Sequence, residues 1–239
     1  MPQTDLAALV RHARVAHSTS LGALADVFLT DMPLNEAGEL LRHLRRARRY
    51  LEWGSGGSTV LASWLSAQPA APLTDIYSIE SSRDFVDSLR AKHMPIRLAE
   101  AAGKLHYKLA DVGPTGDWGN PVDWKASSPQ RTAWMHGYVG AVPPSECCFD
   151  LILVDGRFRE ACALHALLLS HNETVVLVHD NDHVQSRPYN RTLQEWYTVE
   201  QAGKLSVLRA IQSKRASATA RSSRFVEDFS KRMHDPIRL

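Results

Sequence analysis

From residue 50 onwards, short apolar runs alternate along the chain with segments whose apolar residues recur at helical spacing. The apolar runs, each bounded by polar or turn-forming residues, span residues 50–53, 76–79, 105–109, 149–154, 175–178 and 205–208. The segments of helical spacing span residues 59–67, 84–92, 160–169 and 191–201. Strands that alternate with helices form right-handed βαβ units. The pattern therefore predicts an α/β domain: a doubly wound, mostly parallel sheet with helices on both faces.

Two further helices are predicted in residues 1–48, because apolar positions recur at helical spacing on both sides of Met32 and Pro33. Asn35 is the expected N-cap of the second helix. That helix runs into a cluster of arginines between Arg42 and Arg49. Cations complement the dipole at the C-terminus of a helix, so we interpret the cluster as a solvated helix end.

Residues 112–148 interrupt the alternation of strands and helices. They are rich in glycine, proline and aromatic residues and are too long for a plain connection in a compact domain. We therefore expect a helix near residues 131–139 and a segment that covers a site. The predicted organisation is a set of N-terminal helices (1–48), a core domain (49–210) that carries this insertion, and a partly flexible basic tail (211–239).

Composition narrows the class of protein. The 239 residues are 44% hydrophobic and 23% charged, which is typical of a globular chain with a large core. The formal charge is only +2, with seven basic and three acidic side chains in residues 211–239, so the tail carries +4 and the remainder −2. This balance disfavours a nucleic-acid partner. Three cysteines cannot build a disulfide framework, and no secretion signal or membrane-length apolar segment is found, so we expect a cytoplasmic protein.

A glycine-rich turn follows the first predicted strand. Residues 50–59 place Glu52, Gly54, Ser55 and Gly56 where that strand turns into its helix. Glycines let a backbone approach a ligand closely, and the N-terminus of the helix offers free N–H groups. The dinucleotide-binding fingerprint requires a glycine where this chain has Thr59, so NAD is disfavoured.

This acid and its glycines resemble motif I of the class I S-adenosylmethionine-dependent methyltransferases. The resemblance implies the Rossmann-like methyltransferase fold and S-adenosylmethionine as cofactor. It places Glu52 near the methionine part of the ligand, with Gly54, Ser55 and Gly56 making room for it. The alternative interpretation is that Glu52 is an ordinary polar residue at a strand end.

The ends of the second and third predicted strands extend the resemblance. Glu80 matches the acid that accepts hydrogen bonds from both ribose hydroxyls in that family, as a carboxylate can. Asp111 matches a polar contact to the adenine, and we expect Trp118 to stack on the base. Glu80, too, has the alternative interpretation of an ordinary polar residue.

Ionisable residues are concentrated after the fourth and fifth predicted strands. Asp155, Asp180 and Asn181 resemble the metal ligands of the divalent-metal O-methyltransferases related to catechol O-methyltransferase, which implies Mg²⁺ or another divalent cation. That family has a lysine base three residues after its first ligand, where this chain has Phe158. The candidate catalytic residues are therefore Asp155, Asp180 and either His179 or His183 as the base. The alternative is a polar turn without metal.

The sequence thus predicts a methyltransferase that acts on a small molecule at a hydroxyl oxygen. The fourth strand lacks the Pro-Pro motif and the cysteine typical of enzymes that methylate nucleic-acid bases, and no membrane partner is expected. Two alternatives stay open. One is an RNA or protein methyltransferase that docks through the basic tail and the arginine cluster. The other is a binding protein that keeps the fold without catalysis. The oligomeric state is left open.

Overall fold

The fold is given by a computed structural model that describes residues 32–69, 71–123, 128–181 and 189–215. The first predicted N-terminal helix and residues 216–239 of the tail lie outside the described residues. The strands are β1 (Arg49–Trp53), β2 (Asp75–Glu80), β3 (Leu105–Leu109), β4 (Phe149–Val154), β5 (Ser170–Val178), β6 (Tyr197–Ala202) and β7 (Leu205–Ala210). The α-helices are α1 (Leu34–Leu44), α2 (Gly57–Ser66), α3 (Arg83–Lys92), α4 (Met94–Ala101), α5 (Ser128–Val139), α6 (Arg159–Leu169) and α7 (Tyr189–Trp196). None of the helices in these ranges is long and apolar enough to span a bilayer.

The strands form one seven-stranded sheet in the order β3-β2-β1-β4-β5-β7-β6. Strands β1 to β5 are parallel, whereas β7 is antiparallel to both β5 and β6. The direction of winding reverses between β1 and β4. In open α/β sheets a ligand crevice lies at such a switch point, outside the carboxyl ends of the strands. The loops that follow β1 and β4 therefore border the expected site.

Two hydrophobic cores cover the two faces of the sheet, because adjacent strand residues point to opposite faces. Tyr50 belongs to the core beneath helices α1 to α4, and its neighbour Leu51 belongs to the core beneath α5 to α7. Both side chains are fully buried. This arrangement confirms the doubly wound α/β fold and explains why the central strands carry mostly apolar residues on both faces.

The C-terminal part of the sheet corrects one predicted helix. The segment 191–201 is helical only as far as Trp196, and residues from Tyr197 onwards form β6. Six consecutive residues of β6 pair with β7, and the buried Tyr197 hydroxyl donates to the carbonyl of Ala163 at 2.5 Å. These contacts outweigh the local helical pattern, so the sheet has seven strands rather than six.

The start of α1 corrects the predicted cap. Pro33 is the N-cap, and its carbonyl accepts the backbone N–H groups of Glu36 and Ala37. Asn35 lies within the first turn instead. The helix therefore begins at Leu34, and its first N–H groups are capped by a backbone carbonyl without a capping side chain. The helix ends at Leu44, before most of the arginine cluster.

The insertion 112–148 contains the predicted helix, α5, together with two 3₁₀ turns at Asp117–Gly119 and Pro144–Glu146. Another helix, α4, was not expected from the apolar pattern. Pro95 lies in its first turn, where a proline costs no hydrogen bond, and Ile96 packs into the core.

Candidate functional site

The glycine loop after β1 touches the loop after β4. Gly54 has a φ of +98°, and a Cβ atom at this position would lie 2.7 Å from the backbone nitrogen of Gly156. Only glycine combines this backbone conformation with so close an approach. A Cβ atom on Gly56, by contrast, would meet nothing within 4 Å, and its backbone is extended. The Gly54 side of the loop is thus packed, and the Gly56 side is open.

Glu52 holds this loop from the buried side. Its side chain is fully buried, and four hydroxyl groups donate to its carboxylate: those of Tyr50, Ser58, Thr59 and Ser78. The Thr59 hydroxyl in turn accepts the backbone N–H of Gly56 at 2.9 Å. Because Ser78 donates to Glu52, Ser55 must be the donor in the 2.7 Å contact between the Ser55 and Ser78 hydroxyls. The structure therefore shows Glu52 anchoring the loop, and its contact with a ligand stays a prediction.

The burial of Glu52 has a measurable consequence for stability. Burial raises the pKa of this carboxyl above its ordinary value of 4.5, although the donated hydrogen bonds oppose the shift. An acid whose pKa is raised by folding loses stability as the pH rises from the unfolded pKa through the folded pKa. The free energy of unfolding of Glu52→Gln, taken relative to that of wild type, should therefore increase as the pH rises above 4.5. Urea denaturation at a series of pH values would measure this difference. A difference in stability that is independent of pH would contradict this explanation.

Glu80, at the end of β2, joins two loops. Its Oε2 accepts the backbone N–H of Ser55 at 3.1 Å, and its Oε1 accepts those of Ser81 and Ser82 at 2.7 and 3.0 Å. Gly119 lies against the same carboxylate, since a Cβ atom there would be 3.5 Å from Oε1. The carboxylate thus lies between the glycine loop and the turn in the insertion, where the resemblance places a ribose.

Asp111 and Trp118, the residues predicted to contact adenine, are exposed. The Asp111 carboxylate accepts the backbone N–H of Gly113 at 2.9 Å, which stabilises its own loop. Trp118 is 80% exposed and has a left-handed backbone in the turn that also contains Gly119. An indole with that much free surface can stack on a planar ligand. The turn that carries it reaches the Glu80 carboxylate through the neighbouring residue Gly119. Both adenine contacts stay predictions.

Three predicted residues meet at the carboxyl ends of β4 and β5. One ligand-type atom each from Asp155, His179 and Asp180 lies within 4.8 Å of the other two. The sequence predicted that these strand ends converge, and the structure brings them together. His183 lies outside the described residues.

His179 is held between two carboxylates. Its Nδ1 is 2.9 Å from Asp155 Oδ1, and its Nε2 is 3.0 Å from Oε2 of Glu36 in the first turn of α1. Glu36 is itself buried and accepts the backbone N–H of Lys204 at 2.7 Å. Burial acts to lower the pKa of His179, but the hydrogen bond and charge of Asp155 outweigh it and raise the pKa. Both ring nitrogens are engaged, so His179 is placed to orient Asp155.

Arg159, in the first turn of α6, pairs with both acids of the cluster. Its Nη2 is 3.4 Å from Asp155 Oδ1, and its Nη1 is 3.5 Å from Asp180 Oδ2. The same side chain donates to the backbone carbonyls of Gly156 and His179. Arg159 is 14% exposed, whereas Asp155 and Asp180 are 30% and 42% exposed, so solvent reaches both ion pairs from the side of the acids. The guanidinium therefore joins the ends of β4 and β5.

Asn181 is tied to β7 instead of to the two acids. Its Nδ2 donates to the Ser206 hydroxyl at 2.9 Å, and its backbone N–H donates to the carbonyl of Lys204. Its Oδ1 is buried and has no hydrogen-bond partner within the described residues. The amide thus supports the β6–β7 turn, and its role as a metal ligand stays a prediction.

Sequence reasoning missed two residues of this site, Glu36 and Arg159. Glu36 is distant in the chain and carried no motif. Arg159 follows directly after Phe158, where the resemblance expects a lysine. A basic side chain one position further along the chain was therefore the sequence signal that could have identified Arg159.

Comparison with known proteins supports the fold. No protein-family model and no curated protein matches the sequence. Among solved structures, a methyltransferase-like protein from Silicibacter pomeroyi DSS-3 is 27% identical, covers 80% of this chain and 95% of its own, and superposes with a TM-score of 0.59. Cofactor-bound Rv0187 from MTB is 17% identical, covers 88% of this chain and 98% of its own, and has a TM-score of 0.50. Together with the strand order, these similarities show that the chain has the Rossmann-like fold of the class I methyltransferases.

Proposed function

We propose that this protein is an S-adenosylmethionine-dependent methyltransferase that methylates a small molecule at a hydroxyl oxygen. The observation that carries the proposal is the position of Glu80. Its carboxylate binds the glycine loop at the switch point of the sheet, which is where a nucleoside ligand binds in this class of fold. The open side of Gly56 and the exposed Trp118 support the same site.

S-adenosylmethionine, when bound, supplies a methyl group already activated by its sulfonium. The chain must therefore bind and align the reactants. In our proposal Glu80 accepts hydrogen bonds from the ribose hydroxyls, and the open backbone at Gly56 admits the methionine part beside the N-terminus of α2. Trp118 stacks on the adenine, and Asp111 provides a polar contact to it.

Asp155 is our candidate for the residue that aligns the acceptor. It is 30% exposed and immediately precedes Gly156, whose backbone packs against Gly54. Its carboxylate would accept a hydrogen bond from the acceptor hydroxyl and take up the proton as the methyl group moves from sulfur to oxygen. His179 and Arg159 fix the orientation of this carboxylate, so we assign them positioning roles.

Calorimetry and a turnover assay together test the proposed function. We expect S-adenosylhomocysteine to bind the full chain with one-to-one stoichiometry, and methyl transfer from S-adenosylmethionine to appear in a panel of phenols, catechols and aliphatic alcohols. Mass spectrometry would identify the methylated oxygen. No binding of S-adenosylhomocysteine under several buffer conditions would rule out the proposed cofactor, and methylation confined to RNA or protein would rule out the acceptor class.

Asp155→Asn separates alignment of the acceptor from binding of the cofactor. Asparagine keeps the shape of the side chain but cannot take up the proton, so we expect kcat to fall about a hundredfold, the low end of general-base effects. The affinity for S-adenosylhomocysteine should change less than about threefold, because Glu80 and the glycine loop are untouched. Asp150→Asn, at the opposite end of β4, is the matched control. An unchanged kcat in Asp155→Asn would remove Asp155 from the mechanism.

A further inference from the structure

Arg159 lies where the resemblance to the metal-dependent enzymes places a divalent cation. In this chain the carboxylates of Asp155 and Asp180 both face the Arg159 guanidinium, at 3.4 and 3.5 Å. Their charges are thus already balanced by a side chain that belongs to the protein. The acidic pair would otherwise repel itself across the ends of β4 and β5.

Most of the donor atoms around this pair already have partners within the protein. Both ring nitrogens of His179 are hydrogen-bonded to carboxylates, so neither offers a lone pair to a metal. The amide nitrogen of Asn181 donates to Ser206 in β7, whereas its buried Oδ1 has no hydrogen-bond partner within the described residues. An ion between the two acids would also lie within a few ångströms of the positively charged guanidinium, and Mg²⁺ in particular requires near-octahedral oxygen ligands.

The local backbone explains how an arginine reaches this position. Phe158 stands where the metal-dependent enzymes have a lysine, and it is the N-cap of α6 with a left-handed φ of 52°. Its ring packs against Tyr138, with ring centroids 5.9 Å apart. The next residue, Arg159, directs its side chain back across the ends of β4 and β5. Its contacts with the carbonyls of Gly156 and His179 fix that direction.

We propose that Arg159 replaces the divalent cation of the related metal-dependent enzymes, so that the acceptor site of this chain is metal-independent. Arg159 acts as a positioning residue, because it holds Asp155 and Asp180 in place and does not itself contact the reacting atoms. A guanidinium stays protonated at any physiological pH, so it supplies this positive charge permanently. The proposal concerns the acceptor site of the proposed function, but its central test measures metal binding and not activity.

Binding of Mn²⁺ to the full-length protein tests this inference. We expect wild type to bind Mn²⁺ no more tightly than an Asp155→Asn, Asp180→Asn double variant, as measured by electron paramagnetic resonance of the free ion. Arg159→Gln should release both carboxylates and strengthen Mn²⁺ binding at least tenfold. Arg49→Gln is the matched control, since Arg49 begins β1 at the opposite edge of the sheet and donates to the carbonyl of Cys147, and it should show no gain.

Either of two results would overturn the inference. One is stoichiometric binding of Mn²⁺ to wild type that the double variant abolishes, a result that does not require any Arg159 variant to fold. The other is a folded Arg159→Gln variant, verified by its circular dichroism, that gains no affinity. If S-adenosylhomocysteine fails to bind wild type while the Mn²⁺ results are as expected, the proposed function fails and the role of Arg159 is retained.

Discussion

Glu80→Gln is expected to weaken the binding of S-adenosylhomocysteine about a hundredfold. A hydrogen bond to a charged group contributes about 1.5–3 kcal/mol, and the proposed site relies on a carboxylate that accepts from two ribose hydroxyls. Glutamine keeps one acceptor oxygen, which the N–H groups of Ser81 and Ser82 can still use. Its NH₂ group, however, is a donor that would face the donating N–H of Ser55, so the second acceptor is lost. Isothermal titration calorimetry measures the change directly.

Glu100→Gln is the matched control for this substitution. Glu100 is also a partly buried acid with several hydrogen bonds, but its partner is Arg90, on the neighbouring helix α3. We expect it to leave the affinity for S-adenosylhomocysteine unchanged. A Glu80→Gln variant that folds normally and binds as tightly as wild type would show that the ribose is not held at the end of β2.

Central strands were the most predictable part of the fold. The bounds of β4 equal those of its apolar run, because a strand covered on both faces needs a nearly unbroken apolar sequence. Strand β6 gave no such signal. It lies at the edge of the sheet, where Thr198, Glu200 and Gln201 are exposed, so its sequence is as polar as that of a surface helix. Only its pairing with β7, a contact outside the local sequence, shows that it is a strand.

The candidate site was predictable to the extent that parallel strands bring their carboxyl ends to one edge. That rule placed Glu80 and Asp155 at the carboxyl edge of the sheet, beside the glycine loop that Glu52 anchors from its buried side. It could not place Glu36, because a helix that packs across the ends of the strands is positioned by tertiary contacts. Nor could it show that Arg159 turns back to the acids, since this depends on the left-handed backbone of Phe158.

Gly54→Ala should destabilise the fold by about 2–5 kcal/mol. Alanine at a positive φ costs about 1–2 kcal/mol, and the forced displacement of packed neighbours adds about 1–3 kcal/mol. Here the neighbours are backbone atoms of Asp155 and Gly156, within 2.7–2.9 Å of the new Cβ, which cannot rotate aside as a side chain could. Urea denaturation would measure the loss. Gly103→Ala is the control for backbone conformation alone, because its φ is +68° but its Cβ would meet nothing within 4 Å, and we expect a cost of about 1 kcal/mol.

Gly56→Ala should have the opposite pattern to Gly54→Ala. Its backbone is extended and its Cβ would point into open space, so we expect the free energy of unfolding to change by less than about 0.5 kcal/mol. If that open space is where the methionine part of the cofactor binds, the added methyl group should weaken S-adenosylhomocysteine binding about tenfold, the cost of a steric misfit of about 1.4 kcal/mol. Equal affinity in Gly56→Ala and wild type would place the ligand on another side of the loop. Stability that falls as far as in Gly54→Ala would contradict the distinction between the packed and the open side of this loop.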